Sequence, residues 1–186
     1  RVVARQRVEA VDRTTLRAVQ GADLIRQVLS WDANAQSWVQ GTTAFQRFCF
    51  GDLPPVSAFY DGASGKGTRE RLFMNGEETS SGRAMAHIAS GPNAGVSYEL
   101  PRLGKNAWEN VLACPAEQQT TITIGMDDTT PGQVFVYVGT KLDAGTEVQR
   151  AGLTNGLLYA VLAGGVRTES RDTGFAAKGV GVPFTL

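Results

Sequence analysis

The chain has 186 residues, 42% of them hydrophobic, and its 18 basic side chains balance its 18 acidic ones. That length suits one domain, or part of one, with an ordinary packed core. A formal charge of zero gives no electrostatic reason to expect nucleic acid or an anionic membrane as partner, and no apolar run reaches the length of a membrane span.

Runs with strand character recur at short spacing. In order they are residues 5–11 (RQRVEAV), 24–31 (LIRQVLSW), 44–50 (AFQRFCF), 71–74 (RLFM), 83–89 (RAMAHIA), 96–100 (VSYEL), 120–124 (TTITI), 133–138 (QVFVYV) and 157–162 (LLYAVL). Turn pairs separate many of them: Asp61/Gly62, Ser64/Gly65, Ser81/Gly82, Pro131/Gly132 and Asn155/Gly156. The 22 glycines suit a strand-and-turn architecture, and no segment sustains a 3.6-residue apolar period over three turns. The expected class is all-β. The chain opens on Arg1 rather than Met and shows no basic-then-apolar leader, which reads as a mature or cut piece.

An internal similarity narrows the architecture. Aligning Glu77 and Glu78 with Asp127 and Asp128 also pairs Thr79 with Thr129, Gly82 with Gly132, His87 with Tyr137, and Met85 and Ile88 with Phe135 and Val138. The shared grammar is strand, acid pair, short glycine-containing turn, strand. A period of about 50 residues, around 71–120 and 121–170, has the size of a four-stranded propeller blade. Residues 1–186 are then expected to be part of one β-propeller, an incomplete set of roughly three to four blades, with the remaining blades of the same propeller as partners.

Candidate chemistry concentrates in the acids at strand ends, Glu77, Glu78, Glu109, Asp127 and Asp128. Carboxylates converging on one end of a channel repel in a partly desolvated site, and a hard cation such as calcium relieves this by taking six to eight oxygens. On this expectation the acid pairs are neutralised by metal rather than by Lys or Arg. His87 is the sole histidine and sits mid-strand, so packing or an interstrand role is the expectation for it. No Gly-x-Ser-x-Gly elbow, CxxC zinc spacing or phosphate loop occurs, and GASGKGT (residues 62–68) reads as a hairpin loop. Oxygen-ligated metal is left as the constellation with catalytic potential, with Cys49 as a soft addition. Cys49 and Cys114 could otherwise pair or be buried as free thiols.

In the order FCFGDL (48–53), MNGEE (74–78), LGKNAWEN (103–110) and IGMDDTTPGQVFVYVGTK (124–141), the sequence resembles the PhoX-type alkaline phosphatases and the exported bacterial propeller proteins grouped with them, from about residue 23 to residue 162. The resemblance implies a β-propeller whose channel holds calcium (Ca2+) and iron (Fe3+) and which hydrolyses small phosphate monoesters, in the periplasm or outside the cell. It places Cys49 at the cysteine of an NCxGG-like motif, Glu77 and Glu78 at the paired glutamates of CEE, Glu109 at the acid of HE, and Asp127 and Asp128 at the aspartates of MGDD, all as metal ligands. The pattern departs from the family at FCFGD, at Gly76 where CEE has cysteine, and at Trp108 where the family has histidine. Arg83, Arg102 and Lys105 are the bases available to grip phosphate. No catalytic side chain is singled out. Two other functions share the oxygen-ligated metal: a calcium-dependent propeller hydrolase acting on lactones or phosphotriesters, and a non-catalytic calcium-binding propeller serving as a binding or surface-assembly module.

Overall fold

The computed structural model describes residues 7–130, 132–163 and 184–185. The start of the expected first strand at residues 5 and 6, Pro131, and the end of the 121–170 unit lie outside the described residues.

Two hairpins of one design come first. Strands β1 (Arg7–Asp12) and β2 (Arg17–Asp23) form a two-stranded sheet, and β3 (Gln27–Asp32) and β4 (Ser37–Gln40) form the next hairpin. In each, an aspartate at the end of the first strand turns the chain. Asp12 Oδ1 accepts from the N–H groups of Thr14 and Thr15, and Asp32 Oδ1 from those of Asn34 and Ala35. Neither hairpin's second strand was legible, because β2 is exposed throughout and β4 nearly so.

The later strands are β5 (Tyr60–Asp61), β6 (Lys66–Gly67), β7 (Leu72–Gly76), β8 (Glu78–Ile88), β9 (Val96–Glu99), β10 (Lys105–Ala113), β11 (Thr120–Asp127) and β12 (Val134–Thr140). A single helical turn, α1 (Glu147–Arg150), precedes β13 (Leu157–Ala160), β14 (Leu162–Ala163) and β15 (Phe184–Thr185). The main sheet runs β13-β12-β11-β10-β8-β9-β3-β4, with β7 also paired to β8. Its pairings are antiparallel except β3 with β9. The fold is all-β with mixed sheets, and none of the described sheets closes on itself. No helix among the described residues is long and apolar enough to cross a membrane.

Strand β8 is the spine. Ala84, Ala86 and Ile88 face the larger core with Leu72, Met74, Tyr98, Leu100 and Trp108, while Met85 faces a smaller cluster with Val28 and Phe45. A strand covered on both sides reads as a continuous apolar run, as RAMAHIA does. His87 shares the second face and is fully buried. Its Nδ1 lies 2.6 Å from Ser97 Oγ and its Nε2 2.8 Å from Asn75 Oδ1, with the rings of Phe45, Phe48 and Phe73 around it. The packed role expected for this histidine is the one it has.

Two departures matter for the site. Residues 44–50 are expected as a strand, yet among them only Phe48 makes a bridge, to Glu77; Phe45 and Phe48 pack around His87 while Phe50 packs against the larger core. Strand β10 was not expected at all. Its sequence KNAWENVLA is rich in residues that strands disfavour, and an irregularity at Glu109 breaks its alternation.

Burial pushes the His87 imidazole down to about 3. The unfolded chain therefore takes up this proton near pH 6.5 and the folded chain only near pH 3, so stability is lost as pH falls through that window. Between pH 6.5 and 5, above the carboxylate range, chemical denaturation should show a slope approaching about 1.4 kcal/mol per pH unit. His87→Gln should flatten it, and an unchanged slope in that variant would refute the assignment.

Candidate metal centre

The two acid pairs sit in loops of one construction. The N–H of Glu77 donates to Arg83 O and that of Asp127 to Gln133 O, each at 3.0 Å across six residues. Gly82 and Gly132 close these loops where a Cβ would strike the carbonyl oxygen of Glu77 at 1.8 Å or of Asp127 at 2.4 Å, so a side chain is excluded from both.

Strand β10 lies between the loops and joins them at Ala107 and at Trp108, whose N–H donates to Glu77 O at 3.3 Å and which pairs with Asp127. Ala107 pairs with Glu78 on one side, and on the other its carbonyl accepts from the Asp128 N–H at 2.8 Å. Two residues on, the β10–β11 register slips: Trp108 faces Asp127 and Asn110 faces Met126, leaving Glu109 as the extra residue of a bulge. A bulge re-aims the side chain it carries. The outcome is one carboxylate oxygen each from Glu78, Glu109 and Asp128 within 4.8 Å of one another, Glu78 half-buried and the other two exposed.

The segment before β5 supplies the rest of the site. The Glu78 N–H donates to Arg47 O at 2.8 Å, which lays residues 47–49 along the acids. Arg47 Nη2 lies 2.5 Å from Glu78 Oε1, and the Cys49 thiol donates to Glu78 Oε2. That thiol bond, with the Arg47 guanidinium beside it, outweighs desolvation and holds the Glu78 carboxyl below its usual range; the same bond pushes the Cys49 thiol up. Both cysteines are free. Cys49 is exposed at the cluster rather than buried, and Cys114 is half-buried.

Of the six expected ligands, Cys49, Glu78, Glu109 and Asp128 come together. Glu77 and Asp127 turn away. Adjacent residues of an extended chain project to opposite sides, which is how neighbouring acids coexist here without a shared counter-ion. Glu77 is buried, and its four lone-pair positions are filled: Arg83 Nε and N–H at Oε2 (2.7 and 3.2 Å), and Arg83 Nη2 and the Gln46 N–H at Oε1 (both 2.8 Å). Burial pushes its carboxyl up, but the Arg83 bonds and the Gln46 N–H more than offset this and hold it below the usual range. The expectation that the acid pairs are neutralised by metal rather than by Arg is therefore corrected at Glu77, where Arg83 does so, and Arg47 pairs with Glu78. Asp127 Oδ2 accepts from Thr129 at 2.8 Å, and its Oδ1 is buried without a hydrogen-bond partner among the described residues.

None of the three bases expected to grip phosphate stands with this cluster. Arg83 is spent on Glu77, Lys105 pairs with Glu99 at 3.3 Å, and Arg102 lines a separate cavity beside Trp31 and Trp38. The base at the acids is Arg47, which was overlooked. Its signal was the spacing, since Arg47 and Cys49 are two apart on an extended segment and so share a side.

Trp108 is 1% exposed and clamped between glycines. A Cβ on Gly76 would lie 2.5 Å from its Cβ, one on Gly125 would lie 2.3 Å from its ring, and its Nε1 donates to Gly82 O at 3.1 Å. Gly76, Gly125 and the Trp108 indole thus form one steric unit.

No protein-family model, curated protein or solved structure matches the chain.

Gly76→Cys alone should destabilise by forcing the indole out, and Trp108→His alone should leave a void. Made together they should cost less than their sum, by about 0.5–3 kcal/mol in a double-mutant cycle. Simple additivity would show that the two positions are uncoupled.

Proposed function

We propose that this chain belongs to a metal-dependent phosphomonoester hydrolase of the PhoX type, with calcium held by Glu78, Glu109 and Asp128. The observation that carries this reading is the convergence of three carboxylates from β8, β10 and the loop that follows β11, positioned by Ala107 and the Glu109 bulge. The donor set is hard oxygen, as calcium requires. Cys49 adds a sulfur of the kind that iron accepts, and it is held against Glu78.

A bound cation there would offset phosphoryl charge and polarise the ester for hydrolysis. The protein's own groups do the rest. Glu78, Glu109 and Asp128 fix the position of that charge, and the Arg83 pair with Glu77 stiffens the loop that carries Glu78. Arg47, exposed over two thirds of its side chain, can leave Glu78 and present its guanidinium fork to phosphate oxygens. The Cys49 thiol keeps its proton on Sγ while Glu78 is unliganded. Export to the periplasm or the cell exterior goes with this reading.

A β-propeller is the finer architecture we infer, and strand β11 supports it. Thr121, Thr123 and Gly125 face inward while Ile124 and Met126 face out, beside Leu112 and Val134, which are also exposed. A strand with its apolar side outward is complete only when another sheet covers it, as the next blade of a propeller does. The non-catalytic calcium-binding alternative draws on one observation: the position of the family's histidine is filled by the buried indole of Trp108.

Elemental analysis and calorimetry of the intact protein, paired with hydrolysis of p-nitrophenyl phosphate, separate these readings. Calcium binding with chelator-sensitive hydrolysis is expected, and Glu78→Gln or Asp128→Asn should weaken calcium at least about tenfold, the least that loss of even a supporting partner costs. Glu77→Gln should chiefly lower stability. Calcium without hydrolysis would select the non-catalytic module, and absence of any metal would defeat both.

A further inference from the structure

We propose that the cavity between the β3–β4 hairpin and the Pro101–Leu103 turn is a saccharide site selective for pyranose rings that carry a carboxylate. The cavity has a volume of about 430 Å3, within the range of small-molecule sites, and Trp31, Trp38, Gln36, Ser37, Arg102 and Thr154 contribute to its lining.

Its aromatic wall is fixed before any ligand arrives. Trp31 and Trp38 are direct cross-strand partners with ring centroids 5.1 Å apart at 75°. Trp38 packs edge-on against Tyr98 at 5.3 Å and donates its Nε1–H to Glu99 O at 2.8 Å. The Trp31 N–H donates to Glu99 Oε2 at 3.0 Å, and this buried carboxylate is in turn held by Lys105. Residue Glu99 thus ties the Trp38 indole through its backbone carbonyl and the Trp31 backbone through its carboxylate, without entering the cavity lining. Both tryptophans remain only partly buried, although Trp38 Nε1 is satisfied from behind and the two rings pack edge-on.

The remaining lining selects the ligand. The C–H face of a pyranose is slightly positive and matches the negative face of an indole. The Gln36 amide and the Ser37 and Thr154 hydroxyls offer donors and acceptors together, which ring hydroxyls need. Arg102, exposed, is the sole charged residue of the lining, and its planar fork suits a carboxylate. A quaternary ammonium, the other common ligand of tryptophan walls, would meet that positive charge unopposed. The site shares no residue with the acid cluster and stands or falls independently of the phosphatase reading.

Isothermal titration calorimetry of the intact protein with trigalacturonate, its methyl ester and 2-naphthoate tests this. Saturable binding of trigalacturonate is expected, with the neutral ester weaker by about tenfold or more, the worth of a hydrogen-bonded charge. Arg102→Gln should bring the acid down to the ester's affinity, and Trp31→Ala should abolish both. Arg102 lies outside the core, so its variant reports even if Trp31→Ala fails to fold. No saturable binding, equal affinity for acid and ester, indifference to Arg102→Gln, or tighter binding of 2-naphthoate would each overturn the proposal.

Discussion

Ala107 is the point on which the site turns. It pairs with Glu78 through β8 and accepts the Asp128 N–H through the loop after β11, so a residue without functional groups of its own draws these two acids together. Strand alternation then sorts each acid pair. One member goes to the cluster, and the other goes to Arg83 or to the threonine of its own loop. The bulge at Glu109 breaks the alternation once, where a third carboxylate has to be brought in.

The rest of the sheet exists to hold that seam rigid. Strand β8 carries Glu78 at one end and, at the other, a stretch buried on both faces, so the loop with the acids is anchored to the least exposed part of the molecule. Two polar side chains inside are tied to partners. His87 is fixed between Ser97 and Asn75, and the buried Lys141 ammonium donates to the carbonyls of Gln118 and Thr120 at the entry to β11. Burial of such groups is tolerated because partners are supplied, and it confers a single arrangement on the strands they join.

Much of this was legible before the fold was known. Turn chemistry marked the class, and the repeated acid-turn-strand grammar marked two loops that share a hydrogen-bond pattern. The motifs also named Glu78, Glu109, Asp128 and Cys49, which do come together, and Trp108, which fills the core. What could not be read was side: nothing in GEE or MDD says which neighbour points to solvent and which inward. Nor could the consequences of β10 be read, since a polar, bulged strand carries no period to detect. Nor does AFQRFCF announce Arg47 as a site residue, since only the fold sets Phe45 and Phe48 against His87 and brings Arg47 and Cys49 to Glu78.

The clamp on Trp108 also constrains ancestry. Two glycines, Gly76 and Gly125, must already be in place for an indole to enter, since a methyl group at either would overlap it. Any route to this core that seats glycine at positions 76 and 125 before the tryptophan meets only the modest entropic penalty of a glycine. The reverse order leads through an overpacked intermediate. Position 108 is accordingly a one-way gate: once the indole is seated, return of a side chain at either glycine is blocked until the tryptophan itself has been given up.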